Sequence, residues 1–275
     1  MNTIAVDVMG GDHGLTVTVP ACLQFLSENQ DVHLILVGRQ EYIQASIANC
    51  SASLVDRMTI QHASEEVDMD ESPSSAMRKK KDSSMRVALN LVKDGSAAAC
   101  VSAGNTGALM ATARYVLKML PGVDRPALFT RCPSPQGKLE TRMLDLGANV
   151  DSQPEHLVQF ATMGAIIVTA VSGKSNPTVG LLNIGEEEIK GNETIKQTSQ
   201  LLSDASELNY VGFVEGNDCF GGKVDVVVCD GLLGNISIKT AEGVFSLILS
   251  ELKEAFQFSF ISRLQWLVAR TAIKR

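Results

Sequence analysis

The chain has 275 residues, 45% hydrophobic and 20% charged, with 24 Lys+Arg against 31 Asp+Glu and a formal net charge of −7. A chain of this length buries enough apolar surface to fold without staples, and its 22 glycines follow no strict period, which excludes collagen-like and disordered classes. The acidic balance argues against nucleic acid as the main partner, because phosphate backbones require a basic face.

Short apolar runs alternate with longer helical patterns from the first residues onward. The predicted strands are Ile4–Val8, His33–Val37, Met58–Gln61, Ala98–Ser102, Ala127–Thr130, Met143–Leu146, Thr178–Asn183, Tyr210–Val214 and Val224–Cys229. Helices are expected between them at 15–28, 40–48, 74–94, 105–119, 154–172 and 192–203, with a long pattern at 234–254. Such alternation predicts an α/β protein whose mostly parallel sheet is covered on both faces. The run from Val224 to Cys229 fits a central strand buried on both sides. One α/β catalytic domain over 1–254 is expected, with room for a small subdomain at 120–142, where Pro121, Pro126, Pro133 and Pro135 interrupt regular structure. The apolar stretch Leu157–Gly173 reads as a buried helix, not a membrane span, since Gln159, Thr162, Thr169 and Ser172 dilute it.

The final residues change character. From Ala255 to Arg275 there are basic residues (Arg263, Arg270, Lys274, Arg275) and no acid, together with Phe256, Phe258, Phe260 and Trp266. At helical spacing Phe260, Ile261, Leu264, Leu267 and Val268 share one face. This is the pattern of a helix lying on a membrane surface or closing a dimer contact.

Five predicted strands end in a glycine with an amide or carboxylate beside it. These are Asp7–Asp12, Ser102–Gly107, Asp145–Asn149, Asn183–Glu186 and Asp230–Asn235. Ligands of open parallel sheets bind outside the carboxyl ends of the strands, so these loops are expected to line one cleft. Gly10, Gly11, Gly104, Gly147 and Gly185 permit close backbone approach there. Ser102–Gly107 is the leading phosphate candidate, since it opens a helix that Asn105 and Thr106 are placed to cap. It matches neither GxGxxG nor the Walker pattern, and Gly173-Lys174-Ser175 has Val168 where a Walker glycine would stand. The run Arg78-Lys79-Lys80-Lys81 either holds phosphate or docks an acidic partner. Lys190, after three acids, reads as a surface ion pair or a cleft ligand, and His13 lies within reach of the first loop.

Cys22, Cys50, Cys100, Cys132, Cys219 and Cys229 contain no CxxC pair, and the start Met1–Val6 lacks the basic end and apolar core of a signal peptide. Free thiols in a reducing cytoplasm are expected. Cys100 and Cys229 are placed for a covalent thioester route, yet small buried cysteines in strands more often fill space. His13, His33, His62 and His156 are scattered without ligand spacing, so neither a metal nor another cofactor is expected.

Taken together the loops resemble the PlsX-type phosphate acyltransferases. The resemblance rests on Val6-Asp7-Val8-Met9-Gly10-Gly11-Asp12-His13, Arg78 through Met85, Val101 through Leu109 and Leu144-Asp145-Leu146-Gly147-Ala148-Asn149. Val179 through Glu186 with Lys190-Gly191, and Asp225 through Gly231 with Gly234-Asn235, complete it in family order. Leu232 stands where the family more often has Phe, and the family pattern continues past Arg275 with a further strand and helix. The resemblance implies a three-layer α/β/α sandwich like that of phosphotransacetylases and isocitrate dehydrogenases. It implies a homodimer, cytoplasmic and peripherally bound to the membrane, that makes acyl phosphate from acyl-acyl carrier protein and inorganic phosphate for phospholipid synthesis. A membrane glycerol-phosphate acyltransferase would be a further partner, and Arg78, Lys79, Lys80 and Lys81 would dock the acidic carrier.

On that basis Ser102, Asn105 and Thr106 are assigned to phosphate, and Lys190 to phosphate or the developing oxyanion. Asp7, Asn183, Asp230 and Asn235 are expected to orient the reacting groups, with Asn149 in the same loops. Two alternatives remain open at this point: a phosphotransacetylase-like enzyme using acyl-CoA, and an inactive membrane-associated scaffold of lipid synthesis.

Overall fold

The computed structural model describes residues 2–134 and 140–257, with Trp266 and Ala269. The chain divides into two compact units, Met1–Pro126 and Ala127–Arg275. The sequence reading had one α/β unit over 1–254; the strands instead sort into two sheets, one in each unit. The division falls inside the proline-rich 120–142 stretch. Its described part beyond Pro126 supplies the first two strands of the second sheet.

The first unit runs β1 (Asn2–Asp7), α1 (Leu15–Glu28), β2 (Val32–Gly38), α2 (Gln40–Ile47), α3 (Ala52–Val55), β3 (Met58–His62), α4 (Pro73–Lys79), α5 (Ser84–Lys93), β4 (Ala99–Ser102) and α6 (Thr106–Leu117). Its sheet is parallel throughout, in the order β3-β2-β1-β4. Alternation along the strands sorts the core into two layers. Val6, Val8, Leu34 and Leu36 pack with Val19, Cys22 and Leu26 of α1 and with Ile43 and Ile47 of α2. Ala5, Ile35 and Val37 face the other way, onto Ala88 of α5.

The helix expected at 74–94 breaks in two. Lys80 leaves the helical conformation (φ −93°, ψ 71°), and the Ser83 hydroxyl caps α5 by accepting from the Arg86 N–H at 3.3 Å. Asp82, between them, accepts from both the N–H and the hydroxyl of Ser64, at 2.8 and 2.5 Å. Side-chain bonds from a neighbouring loop thus outweigh helical continuity.

The second unit continues with β5 (Phe129–Cys132), β6 (Thr141–Leu144), α7 (Pro154–Ser172), β7 (Thr178–Leu182), α8 (Glu193–Asp204), β8 (Asn209–Val214), a 3-10 turn (Asp218–Phe220), β9 (Val226–Val228) and α9 (Gly231–Gln257). The order is β5-β6-β9-β7-β8, antiparallel only between β5 and β6. β9 is central and wholly buried, as its unbroken apolar run implies. One face of the sheet receives Leu157, Phe160, Ala161 and Val168 of α7 and Ile195 and Leu202 of α8, so α7 is a core helix. On the other face Met143, Leu182 and Val227 pack with Cys219 of the 3-10 turn and Ile238 of α9.

Beyond Ile238 most of α9 is exposed. Val244, Phe245, Ile248, Leu249 and Leu252 are all exposed, at positions that fall on one stripe, while Ser246, Ser250, Lys253 and Glu254 fall opposite. Phe256 sets its ring 5.2 Å from that of Trp266. The rest of the basic, aromatic segment from 258 onward lies outside the described residues.

Candidate functional site

The register of the first sheet sets Asp7 directly beside Ser102, so the loops leaving β1 and β4 start together. Asp7 is 1% exposed. Its Oδ1 accepts from the N–H groups of Met9 and Gly10 at 3.2 and 3.1 Å, and its Oδ2 accepts from the Ser102 hydroxyl at 2.7 Å. Ser102 Oγ in turn accepts from the Gly104 N–H at 3.1 Å. One buried carboxylate therefore shapes both loops. A Cβ on Gly10 would stand 2.7 Å from Asp7 Oδ2 and 2.9 Å from the Gly104 nitrogen, which is why glycine is required there.

Asn105 is the N-cap of α6: its Oδ1 accepts from the Ala108 N–H at 3.0 Å. Its Nδ2 donates to the carbonyls of Met69 and Glu71, both at 2.9 Å. The side chain assigned to phosphate is thus spent on holding the 68–71 loop against α6. What remains is the exposed Thr106 and the N1 and N2 amides of Thr106 and Gly107, for which a helix has no carbonyl of its own. Amides of this kind, with the helix dipole behind them, are what an anion site requires.

His13 is exposed in the first loop. Lys80 turns inward, 2.6 Å from the Glu66 carbonyl, 3.2 Å from Asp68 and 2.8 Å from Glu71, whereas Lys81 is exposed. Lys80 is therefore committed to its own loop.

The second sheet repeats the construction. β6, β9 and β7 lie side by side and parallel, so the loops after Leu144, Val228 and Leu182 emerge at one end. Asp145, wholly buried, accepts from the N–H groups of Leu128, Leu146 and Ala148 through Oδ1, and from the N–H and Nδ2 of Asn149 through Oδ2. Asp145 was absent from the candidate residues, although it stands in the quoted Leu144–Asn149 motif. A buried aspartate ending a strand before Gly147, as Asp7 does before Gly10, was the available signal. Asn149 serves this carboxylate.

Asp230 accepts from the Leu232 N–H at 2.8 Å and the Ser152 N–H at 3.0 Å, starting α9 and tying down the 152 loop. Asn183 accepts from the Ile184 N–H and donates to the Lys190 carbonyl, shaping the loop that Lys190 closes. Asp7, Asn183 and Asp230 thus act on the loops rather than presenting free groups.

Of the candidate side chains in this unit, Asn235 and Lys190 stay accessible. Asn235 is exposed on the first turn of α9, with its Cβ 3.4 Å from where a Cβ on Gly147 would stand. Lys190 folds over Gly185 and pairs with Glu187 at 2.8 Å. The hydrogen bond to Glu187 holds the Lys190 pKa above the ordinary lysine value. Lys190 is therefore an ammonium at neutral pH, suited to stabilising negative charge and unsuited to acting as a base.

The thiols do not read as nucleophiles. Burial, with Asp7 nearby, pushes the Cys100 pKa up to about 12. Burial likewise raises Cys229 well above the usual thiol value, and its Sγ donates to the Asp145 carbonyl. Both fill space beside the loops.

Two of the five glycine loops accordingly gather at the carboxyl end of the first sheet and three at that of the second. The fold class is that of the phosphotransacetylases: the EutD phosphotransacetylase from Staphylococcus aureus matches with a TM-score of 0.63 at 16% identity, covering 89% of this chain and 82% of that one. A phosphotransacetylase from Streptococcus pyogenes matches with 0.62 at 17%, with the same coverage. These likenesses give the α/β sandwich alone. The family model described as "Fatty acid synthesis protein" matches residues 2–275, and the chain belongs to that family.

A "Phosphate acyltransferase" of Legionella pneumophila (strain Paris) is 55% identical over 272 residues, 99% of this chain and 79% of the relative. One of Alcanivorax borkumensis is 56% identical over 267 residues, 97% of this chain and 78% of the relative. The PlsX-type resemblance stands, and the chain is an acyltransferase enzyme.

Proposed function

We propose that the chain transfers a fatty acyl group from the thioester of acyl carrier protein to inorganic phosphate, giving acyl phosphate for phosphatidic acid synthesis. The observation that carries this reading is the Ser102–Gly107 turn, whose shape is set by Asp7 and which opens α6, a helix whose first amides have no intrahelical acceptor. The relatives' name, phosphate acyltransferase, supports it. Phosphate near neutral pH is largely dianionic, so an oxygen can attack the thioester carbonyl without a strong base. As the C–O bond forms, the C–S bond breaks, and the departing thiolate, of pKa about 8.5, takes up the proton that the hydrogen phosphate gives up on becoming acyl phosphate. Catalysis then rests on positioning and charge stabilisation. Within the second unit, the Lys190 ammonium and the Asn235 amide are the accessible groups suited to a developing oxyanion.

Acyl phosphate trapped as hydroxamate measures the reaction directly. The chain should form it only when phosphate and acyl-acyl carrier protein are both present. Lys190→Ala should lower the rate at least about tenfold, the loss of roughly 1.4 kcal/mol of transition-state stabilisation. Its melting temperature should hold, because the side chain's ion-pair partner is the exposed Glu187. Equal rates with acyl-CoA would favour the phosphotransacetylase-like reading, and no product with either donor would favour the scaffold.

We further propose a cytoplasmic homodimer that rests on the membrane surface. The apolar stripe of α9 supports self-association, and the basic, aromatic 255–275 segment supports contact with anionic headgroups, each cation contributing about 1 kcal/mol. There the product would pass to a membrane glycerol-phosphate acyltransferase. Leu264→Glu with Leu267→Glu should abolish sedimentation with anionic vesicles while light scattering still reports twice the chain mass. Normal sedimentation of that variant would end the membrane proposal, and a monomer mass for the unmodified protein would end the dimer.

A further inference from the structure

We infer that the meeting ends of α4, α5 and α6 form the docking surface for the acidic, helical carrier protein that presents the acyl thioester on a flexible arm. The inference rests on the acyl-carrier reading above and adds the surface that reading lacks. α4, α5 and α6 carry Arg78, Lys79, Arg86, Lys93 and Arg114 and not one acidic residue, on a chain of net charge −7. Lys118 follows as the C-cap of α6.

The three helix ends are drawn together by Arg86. Its guanidinium donates to the Met77 carbonyl of α4 at 3.4 Å and lies 4.9 Å from the ring centre of Tyr115 on α6. The Lys118 ammonium sits 4.8 Å from the same ring centre. Arg78 and Lys79 follow Met77 in the chain, and Arg114 precedes Tyr115. Among the described residues none of Arg78, Lys79, Arg86, Arg114 and Lys118 has a carboxylate partner. Lys80, the C-cap of α4, is turned inward onto Asp68 and Glu71.

Unpaired positive charge of this density raises the local potential and steers an acidic partner. An apolar ring stands among the cations, Tyr115 being 52% exposed, and Leu120, two residues past Lys118, is 76% exposed. A docking face needs such contacts for affinity, with its charges for orientation. The ring of Tyr115 and the Met77 carbonyl hold Arg86 and Lys118 in fixed places. Fixed cations suit the fixed carboxylates of a folded helix, whereas a fluid headgroup layer asks only for mobile ones.

The position also fits the chemistry. α6 begins at the anion site, and Tyr115 lies about 14 Å along the helix from Thr106 at 1.5 Å per residue. An extended pantetheine arm spans that distance, so a carrier seated at the helix ends can deliver its thioester while remaining outside.

Lys79→Glu with Arg114→Glu reverses two exposed charges that have no part in the anion site. With acyl-acyl carrier protein at low salt, KM should rise about tenfold or more, and added salt should narrow the difference from the unmodified protein. Turnover of the same acyl group on pantetheine, which has no protein to dock, should stay within about twofold. An unchanged KM for the carrier thioester overturns the surface. So does an equal loss with both donors, which would locate the damage in the site or the fold. Loss of binding to anionic vesicles with carrier KM intact would reassign the patch to lipid and likewise overturn it. If the unmodified protein transfers from acyl-pantetheine but never from the carrier, the donor reading itself fails, and the surface falls with it.

Discussion

Asp145→Ala is expected to be among the most damaging substitutions in the chain. The carboxylate is buried and accepts from four backbone N–H groups and the Asn149 amide. An alanine would leave those donors facing apolar surroundings, each costing about 1–3 kcal/mol unless the loop opens to water. Opening limits the total, so a loss of about 4 kcal/mol is expected, or roughly 10 °C in melting temperature for a protein of this size. The loop after β6 should then lose protection from hydrogen exchange before the sheet does. A melting temperature within about 3 °C of the unmodified protein would contradict the assignment of Asp145 as the organiser of these loops.

Gly234→Ala should be comparably severe, although intrinsic helix propensity points the other way. In a helix interior alanine is favoured over glycine by about 1 kcal/mol. Here a Cβ would stand 1.8 Å from the Asp145 carbonyl oxygen and 3.0 Å from Cys229 Sγ. The obstructing atom is backbone whose own side chain is held by five hydrogen bonds, so α9 must shift instead. Overpacking of this kind costs about 3 kcal/mol or more and outweighs the propensity. Gly243 supplies the control, since it lies in the same helix with nothing within 4 Å of a Cβ. Gly243→Ala should raise the melting temperature slightly and Gly234→Ala should lower it by several degrees. Shifts of the same sign would refute the argument.

Much of this architecture was legible in the residues. β1, β2, β4 and β9 fall within a residue or two of their predicted spans because apolar runs bounded by glycine and polar turns leave few alternatives. The glycine loops were found for the same reason. The assignment of work within the loops was not legible. Asn105 and Asn183 carry the amides an anion site needs, and Asp230 a carboxylate able to orient a reacting group, yet their bonds go to loop backbone. Spacing along a chain does not reveal which backbone amides a strand end will leave without partners. Lys80 and Lys81 are neighbours of one type, and only packing against the 66–71 loop separates the committed cation from the exposed one. The break at 80–83 was in principle readable, since Asp82-Ser83 inside a helical pattern is a capping signal.

The carboxylate of Asp7 has a consequence for timing. A loop arranged around a buried carboxylate is already ordered when folding ends, so a phosphate bound there, as proposed, would replace water at waiting amides without having to organise the chain. Recognition by such a loop draws little on conformational entropy. The turn that opens α6 is in this respect a preformed template, its shape fixed by bonds within the chain.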